Sequence, residues 1–146
     1  MIKIRRGLNI PVSGTPLKAI SDQIRPRSVA VLGRDYVGMK PTMHAREGDK
    51  VKVGDLLFTD KKNTKVRYTS PANGTIKSVN RGDKRRFLSM IINIEGNEQV
   101  EFKSYSKTDP SKLTKESVTA LLLEAGRWPA LRTRPFSKIP DPDTQP

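Results

Sequence analysis

The chain has 146 residues, a formal net charge of +13 (28 Lys and Arg against 15 Asp and Glu), 34% hydrophobic residues and no cysteine. That length fits one domain of ordinary size with a fragment of a second. Without a thiol the chain can build no disulfide, no cysteine-ligated zinc or iron–sulfur site and no thiol nucleophile. No apolar run reaches the roughly 18 residues of a membrane-spanning helix, and residues 1–6 lack the apolar core of a signal peptide, so the expected location is cytoplasmic or membrane-peripheral. The charge suits the phosphates of nucleic acid, an anionic membrane surface or an acidic partner. It is spread along the chain, with local runs at Lys84-Arg85-Arg86 and at Arg127, Arg132, Arg134 and Lys138, and spread charge discriminates poorly among these partners.

In chain order, short β-branched segments alternate with turn residues over the first hundred positions. Strands are expected at 2–4, 29–32, 51–53, 56–58, 66–68, 75–79, 90–94 and 100–102. Gly48-Asp49, Gly54-Asp55, Asn73-Gly74, Gly82-Asp83 and Gly96-Asn97 supply the turns, with glycine carrying the positive φ. Turns at such short spacing favour a barrel or sandwich over an open sheet. Val51, Val53, Leu57, Val66 and Ile76 are the expected core.

The character changes after Tyr105. A polar stretch with a proline, within a linker at 104–113, precedes a segment in which Thr114 can cap a helix and Glu116 can meet its positive end. Val118, Leu121, Leu122 and Ala125 repeat at the spacing of one apolar helix face, and Gly126 is placed to end the helix in a left-handed cap. Beyond it, Pro129, Pro135, Pro140 and Pro142 break regular structure. One amphipathic helix with an irregular tail cannot bury its own face. The segment is therefore expected either to pack on the β unit or to open a larger domain, with the chain a piece of something longer.

The run from Glu47-Gly48-Asp49 through Gly54-Asp55 to Leu57, followed by Ser70-Pro71-Ala72-Asn73-Gly74, resembles the hammerhead of biotinyl and lipoyl carrier domains, the barrel-sandwich hybrid. A carrier presents its modified lysine at an exposed hairpin tip. Asp60-Lys61-Lys62-Asn63 places its lysines too early and has no Met-Lys-Met sequence, so covalent modification is not expected. His44, the only histidine, has no neighbouring carboxylate pair or second imidazole in the sequence and reads as a loop residue. Neither Ser13-Gly14-Thr15 nor Leu32-Gly33-Arg34 has phosphate-loop spacing.

A more specific resemblance rests on five separated motifs in order: Lys3-Ile4-Arg5-Arg6-Gly7-Leu8-Asn9-Ile10-Pro11, Tyr36-Val37-Gly38-Met39-Lys40-Pro41, Glu47-Gly48-Asp49, Asp60-Lys61-Lys62-Asn63 and Arg132-Thr133-Arg134-Pro135-Phe136-Ser137-Lys138. Together they resemble the amino-terminal part of the A subunit of the bacterial sodium-translocating NADH:quinone oxidoreductases. The resemblance implies a mainly β barrel-sandwich hybrid over 1–103, and then, at 114–146, a helix and irregular segment opening an incomplete, Rossmann-like domain akin to the NADH- and flavin-binding subunit of respiratory complex I. It also implies a protein on the cytoplasmic side of the bacterial inner membrane, peripheral to it, whose partners are the other subunits. Those subunits carry NADH, FAD, FMN and the iron–sulfur cluster, while this one contributes to ubiquinone binding or access and to assembly, with no covalently bound cofactor. The glycine-rich loop that cradles phosphates in the complex I relative is replaced here by Arg127-Trp128-Pro129-Ala130-Leu131, so flavin or NADH binding is not expected of this chain.

A quinone headgroup needs an apolar or aromatic wall and one or two donors for its carbonyls. Two segments offer that mixture: Leu32, Tyr36 and Met39 on one, and Trp128, Arg132, Arg134, Phe136 and Lys138 on the other. They are expected to meet and line one face. The rival reading is a basic RNA- or ribosome-binding β-barrel, which would need exposed rings among its cations. Specific nucleic-acid binding is not expected, because several rings fall at core-like strand positions.

Overall fold

The computed structural model describes residues 13–15, 17–20, 25–104 and 108–144; the strand expected at 2–4 lies outside them. Seven strands run β1 (Ser28–Leu32), β2 (Pro41–Met43), β3 (Lys50–Val51), β4 (Leu56–Asp60), β5 (Arg67–Thr69), β6 (Gly74–Arg81) and β7 (Phe87–Ile94), followed by the helix α1 (Lys115–Glu124). They form a four-stranded sheet of order β1-β7-β6-β3 and a three-stranded sheet of order β2-β4-β5. Every pairing within the sheets is antiparallel. This is a mainly β barrel-sandwich hybrid with one helix appended.

The core lies between the sheets. Val31, Ile76, Met90 and Ile92 point inward from one, and Leu57, Phe58 and Tyr68 from the other. Consecutive strand residues normally face opposite ways, yet Leu57 and Phe58 are both fully buried. The reason is a shift of register between Leu56 and Phe58 in the β4–β5 ladder, which inserts one residue and turns both side chains inward.

Four expectations are corrected. Residues 100–102 form no strand: Val53 and Gln99 make a single parallel bridge, and with Gly54 at a φ of +94° the chain turns away after it. Val53, which sits at that bridge, is consequently half-buried while Val51, Leu57, Val66 and Ile76 are buried. Strand β2 was not expected because it opens on Pro41, which cannot donate to a ladder; it pairs only with β4, an edge position where a proline is tolerated. Gly82 has a φ of −102°, and the left-handed positions of the β6–β7 turn belong to Lys84 and Arg85.

The helix starts as expected, with the Thr114 hydroxyl accepting from the Ser117 amide. It ends in a Schellman arrangement: the Arg127 amide donates to Leu122 and that of Gly126 to Leu123. Gly126, at a φ of +63°, lies so close to Thr69 of β5 that an added Cβ would meet its hydroxyl at 2.5 Å. No residue of α1 itself is buried. The residues after the helix hold the segment to the β unit. A 3-10 turn at Trp128–Ala130 packs on β5, and Trp128 and Ile139 lie against the core. The tail then crosses the β4–β5 loop, where Asn63 donates to Asp141 at 3.0 Å and Lys65 pairs with Asp143 at 2.7 Å.

Gly74 is the position least able to carry a side chain, because a Cβ there would overlap the carbonyl oxygen of Asn93 on β7. Gly74→Ala is expected to cost about 2 kcal/mol or more in urea unfolding. Gly48→Ala, at a φ of +88° but with nothing within 4 Å of the added atom, should cost about 1 kcal/mol. Equal losses would show that backbone conformation, and not the close strand approach, governs Gly74.

Candidate functional site

The site grows from the end of β1. After Leu32 the chain makes a 3-10 turn at Gly33–Asp35, and the Tyr36 amide donates to the Gly33 carbonyl at 3.3 Å. This places Tyr36 edge-on to Tyr68, with ring centroids 4.7 Å apart. Tyr68 stacks on Phe58 at 4.7 Å, and Phe58 meets Phe87 edge-on at 5.1 Å. A column of rings therefore runs from Phe87 in the core to the half-buried Tyr36 at the surface.

The carboxy-terminal segment closes on the outer end of that column. The Arg132 guanidinium lies 5.4 Å from the centre of the Tyr36 ring, within cation–π range. Arg132 is held in place by its own loop: it donates to the Ser137 carbonyl at 3.3 Å, and the Thr133 amide donates to the Lys138 carbonyl at 2.8 Å. The Arg134–Pro135 peptide within this loop is cis.

Burial pushes the Tyr36 phenol up, with Asp35 adding to the effect and the nearby Arg132 charge opposing it. The Tyr68 phenol is raised further, again mainly by burial, with Asp60 and Tyr36 adding to it and Arg132 opposing. The Tyr68 hydroxyl is buried without a hydrogen-bond partner among the described residues. An unsatisfied buried donor costs about 1–3 kcal/mol, so a protein that keeps one has a use for it or tolerates it at that cost.

The expected quinone-lining residues are only partly brought together. Tyr36 and Arg132 touch, which joins the two segments. Leu32, Tyr36 and Met39 line one wall of a groove of about 1130 Å³ whose other wall is the β6–β7 hairpin. Trp128, Arg132, Arg134, Phe136 and Lys138 do not line it. Trp128 packs on the core and donates its indole N–H to the Pro140 carbonyl at 2.9 Å, while Phe136 is 70% exposed and Arg134 and Lys138 are exposed. Sequence reasoning missed Tyr68, which alternation marked as an interior strand position. The signal available was a hydroxyl at a core position. His44 is an exposed loop residue whose Nε2 lies 3.1 Å from the Thr59 hydroxyl. No cluster of metal-ligating side chains occurs among the described residues, and no helix there is long and apolar enough to cross a membrane.

Fold and site together define a barrel-sandwich hybrid domain joined to the opening of an α/β domain. Residues 2–95 match the NqrA N-terminal barrel-sandwich hybrid domain, and residues 113–146 match the NqrA second alpha/beta domain. The whole chain aligns with the A subunit of the Na(+)-translocating NADH-quinone reductase from Teredinibacter turnerae at 55% identity, from Saccharophagus degradans at 50% and from Pseudomonas aeruginosa at 51%. In each case the alignment covers 100% of this chain and 33% of the relative, so the chain spans about a third of the length of these proteins. It belongs to the NqrA family, the A subunits of sodium-translocating NADH-quinone reductases.

Replacing Tyr68 by Phe removes the unpartnered hydroxyl and leaves the ring column intact. The variant is expected to be as stable as the parent, or more stable by about 1 kcal/mol, in denaturant titration. A clear loss would mean that the hydroxyl is bonded in solution. The raised phenols also set an alkaline limit. Folding favours the protonated form of Tyr36, so the stability it supports is whole below pH 10 and falls as pH rises through its higher folded value. Tyr36→Phe should flatten the loss of stability between pH 9 and pH 12, read by urea unfolding across that range.

Proposed function

We propose that this chain serves as the amino-terminal part of a subunit of a sodium-pumping NADH:quinone reductase, on the cytoplasmic side of the bacterial inner membrane. There it contributes to quinone binding or access and to assembly with the other subunits. The electron carriers (NADH, FAD, FMN and the iron–sulfur cluster) belong in this reading to those other subunits, and ubiquinone is the small molecule this one meets. Barrel-sandwich hybrids serve many functions, so the fold does not carry the quinone assignment.

The observation that carries it is the Tyr36–Tyr68–Arg132 cluster. Tyr36 is half-buried at the outer end of the ring column, Arg132 sets a cationic donor over its ring, and Tyr68 holds a buried, unused phenol hydroxyl behind it. A cationic donor at the surface end of an aromatic column, beside the apolar groove wall, suits a quinone headgroup, whose carbonyl oxygens accept. Of the residues selected from the sequence, Tyr36 and Arg132 hold the headgroup in this reading. Leu32 and Met39 supply apolar wall on the groove side.

A photoreactive ubiquinone analogue applied to the intact complex tests this. Label is expected on peptides containing Tyr36 or the 132–138 loop, competed by excess ubiquinone, and reduced at least fivefold in Arg132→Ala. Label confined to other parts of the complex would sink the assignment.

A further inference from the structure

The β6–β7 hairpin contradicts its own turn chemistry. The Arg86 amide donates to the Asp83 carbonyl at 3.1 Å, closing a tight turn whose two central residues, Lys84 (φ 53°) and Arg85 (φ 61°), are both left-handed. A turn with both central residues at positive φ favours Asn-Gly, because L side chains avoid that region and glycine does not. The chain instead places two long cations there. Local rules broken in this way tend to mark positions held for function.

Those cations form one side of the groove. Arg81, Lys84, Arg85 and Arg86 from the hairpin face Arg34 and Lys40 from the segment after β1, and no carboxylate lines the space between. None of them makes an ion pair among the described residues, where the pairs are Lys52–Glu98 and Lys65–Asp143. Interleaved with them are two apolar side chains left in the open: Val37, 46% exposed, and Leu88, 40% exposed. Rings are buried (Phe87) or capped (Tyr36, between Tyr68 and Arg132), which leaves none free in the groove for bases to stack on.

Unpaired cations around exposed aliphatic side chains suit an anionic bilayer surface. The charges meet lipid phosphates while the aliphatic groups enter the headgroup layer. We infer that the groove between the β6–β7 hairpin and residues 34–40 is the face by which this chain lies on a membrane, engaging anionic phospholipid headgroups. The inference deepens the reading of the chain as a membrane-peripheral subunit, and it names the side of the molecule that faces the lipid.

The 146-residue chain can be tested directly by flotation with vesicles of phosphatidylcholine, with and without 30% phosphatidylglycerol, at 0.15 M salt. Binding is expected only with phosphatidylglycerol. The diagnostic variant is Lys84→Asn with Arg85→Gly, which installs the residues the turn favours. It should raise the melting temperature and yet weaken vesicle binding by roughly 20- to 30-fold, since each basic residue at a surface contributes about a fivefold factor. Removing the same charge elsewhere, by Lys50→Asn at the opposite end of the long sheet with Lys115→Gln on α1, should weaken binding less than threefold.

No preference for phosphatidylglycerol overturns the inference, and so does an equal loss from both pairs, which would make the binding a matter of net charge. Tighter, salt-resistant binding to single-stranded RNA or to poly-glutamate, lost in the same hairpin variant, would reassign the groove to a nucleic acid or an acidic partner. Any of these leaves the quinone labelling of the intact complex unaffected, so the two claims fail separately.

Discussion

Phe58 is the contact on which the rest of the structure depends. It is fully buried at the register shift in β4 and touches Phe87 of the other sheet on one side and Tyr68 of its own on the other. Each ring pair contributes about 0.5–1.5 kcal/mol beyond the area it buries. Their geometric effect is larger than that sum. The column fixes the spacing of the two sheets and delivers Tyr36 to the surface in a set orientation, and Arg132 then has a ring to cover. Without the inserted residue in β4, Leu57 and Phe58 would face opposite ways, and the column would lose its centre.

The carboxy-terminal segment is attached by a different balance of forces. Its helix is well terminated at both ends but buries no residue, so its stability rests on the caps and on the turn and tail beyond it. The tail reaches the β unit through an indole against the core, a cation over a tyrosine and polar contacts across the β4–β5 loop. The exposed polar contacts are worth less than about 1 kcal/mol each. Trp128 and Ile139 therefore carry most of the attachment, while Arg132 and Asp143 set its register.

How much of this was legible in the sequence depends on the range of the interaction concerned. The ends of the helix were readable, because a cap and a glycine stop are local; its apolar face was not, since Val118 is exposed and Leu121, Leu122 and Ala125 are only half-buried. The cores of three strands, 29–32, 56–58 and 90–94, were readable because they are apolar and flanked by turns, while their outer residues, 87–89 and 59–60 among them, were not. Strand β2 was hidden because its pairing with β4 is what allows its proline, and that partner is remote in sequence. Residues 100–102 misled for the converse reason: they have strand composition but find no partner beyond one bridge. At the site, Tyr36 and Arg132 could be nominated for their chemistry, but nothing local reported that they touch. Tyr68 is buried, as a ring at an interior strand position should be, but alternation says nothing about whether its hydroxyl finds a partner. Phe136 and Trp128 look alike in composition, yet one is exposed and the other covers the core.

The same locality argument explains why the Lys84-Arg85-Arg86 run was uninformative as a string of charges and becomes informative as a turn. Basic runs are common on solvated surfaces, and a charge count cannot rank their partners. What ranks them is that two of these cations occupy backbone conformations that disfavour them, opposite a second set of cations, around exposed aliphatic side chains. Tyr36 lines that same groove and also meets Arg132. An isoprenoid quinone resides in the bilayer, so a peripheral protein that receives its headgroup must set its acceptor site beside its lipid-facing surface. On the two proposals made above, the acceptor site and the lipid-facing surface adjoin at Tyr36, the half-buried ring that both lines the groove and ends the aromatic column.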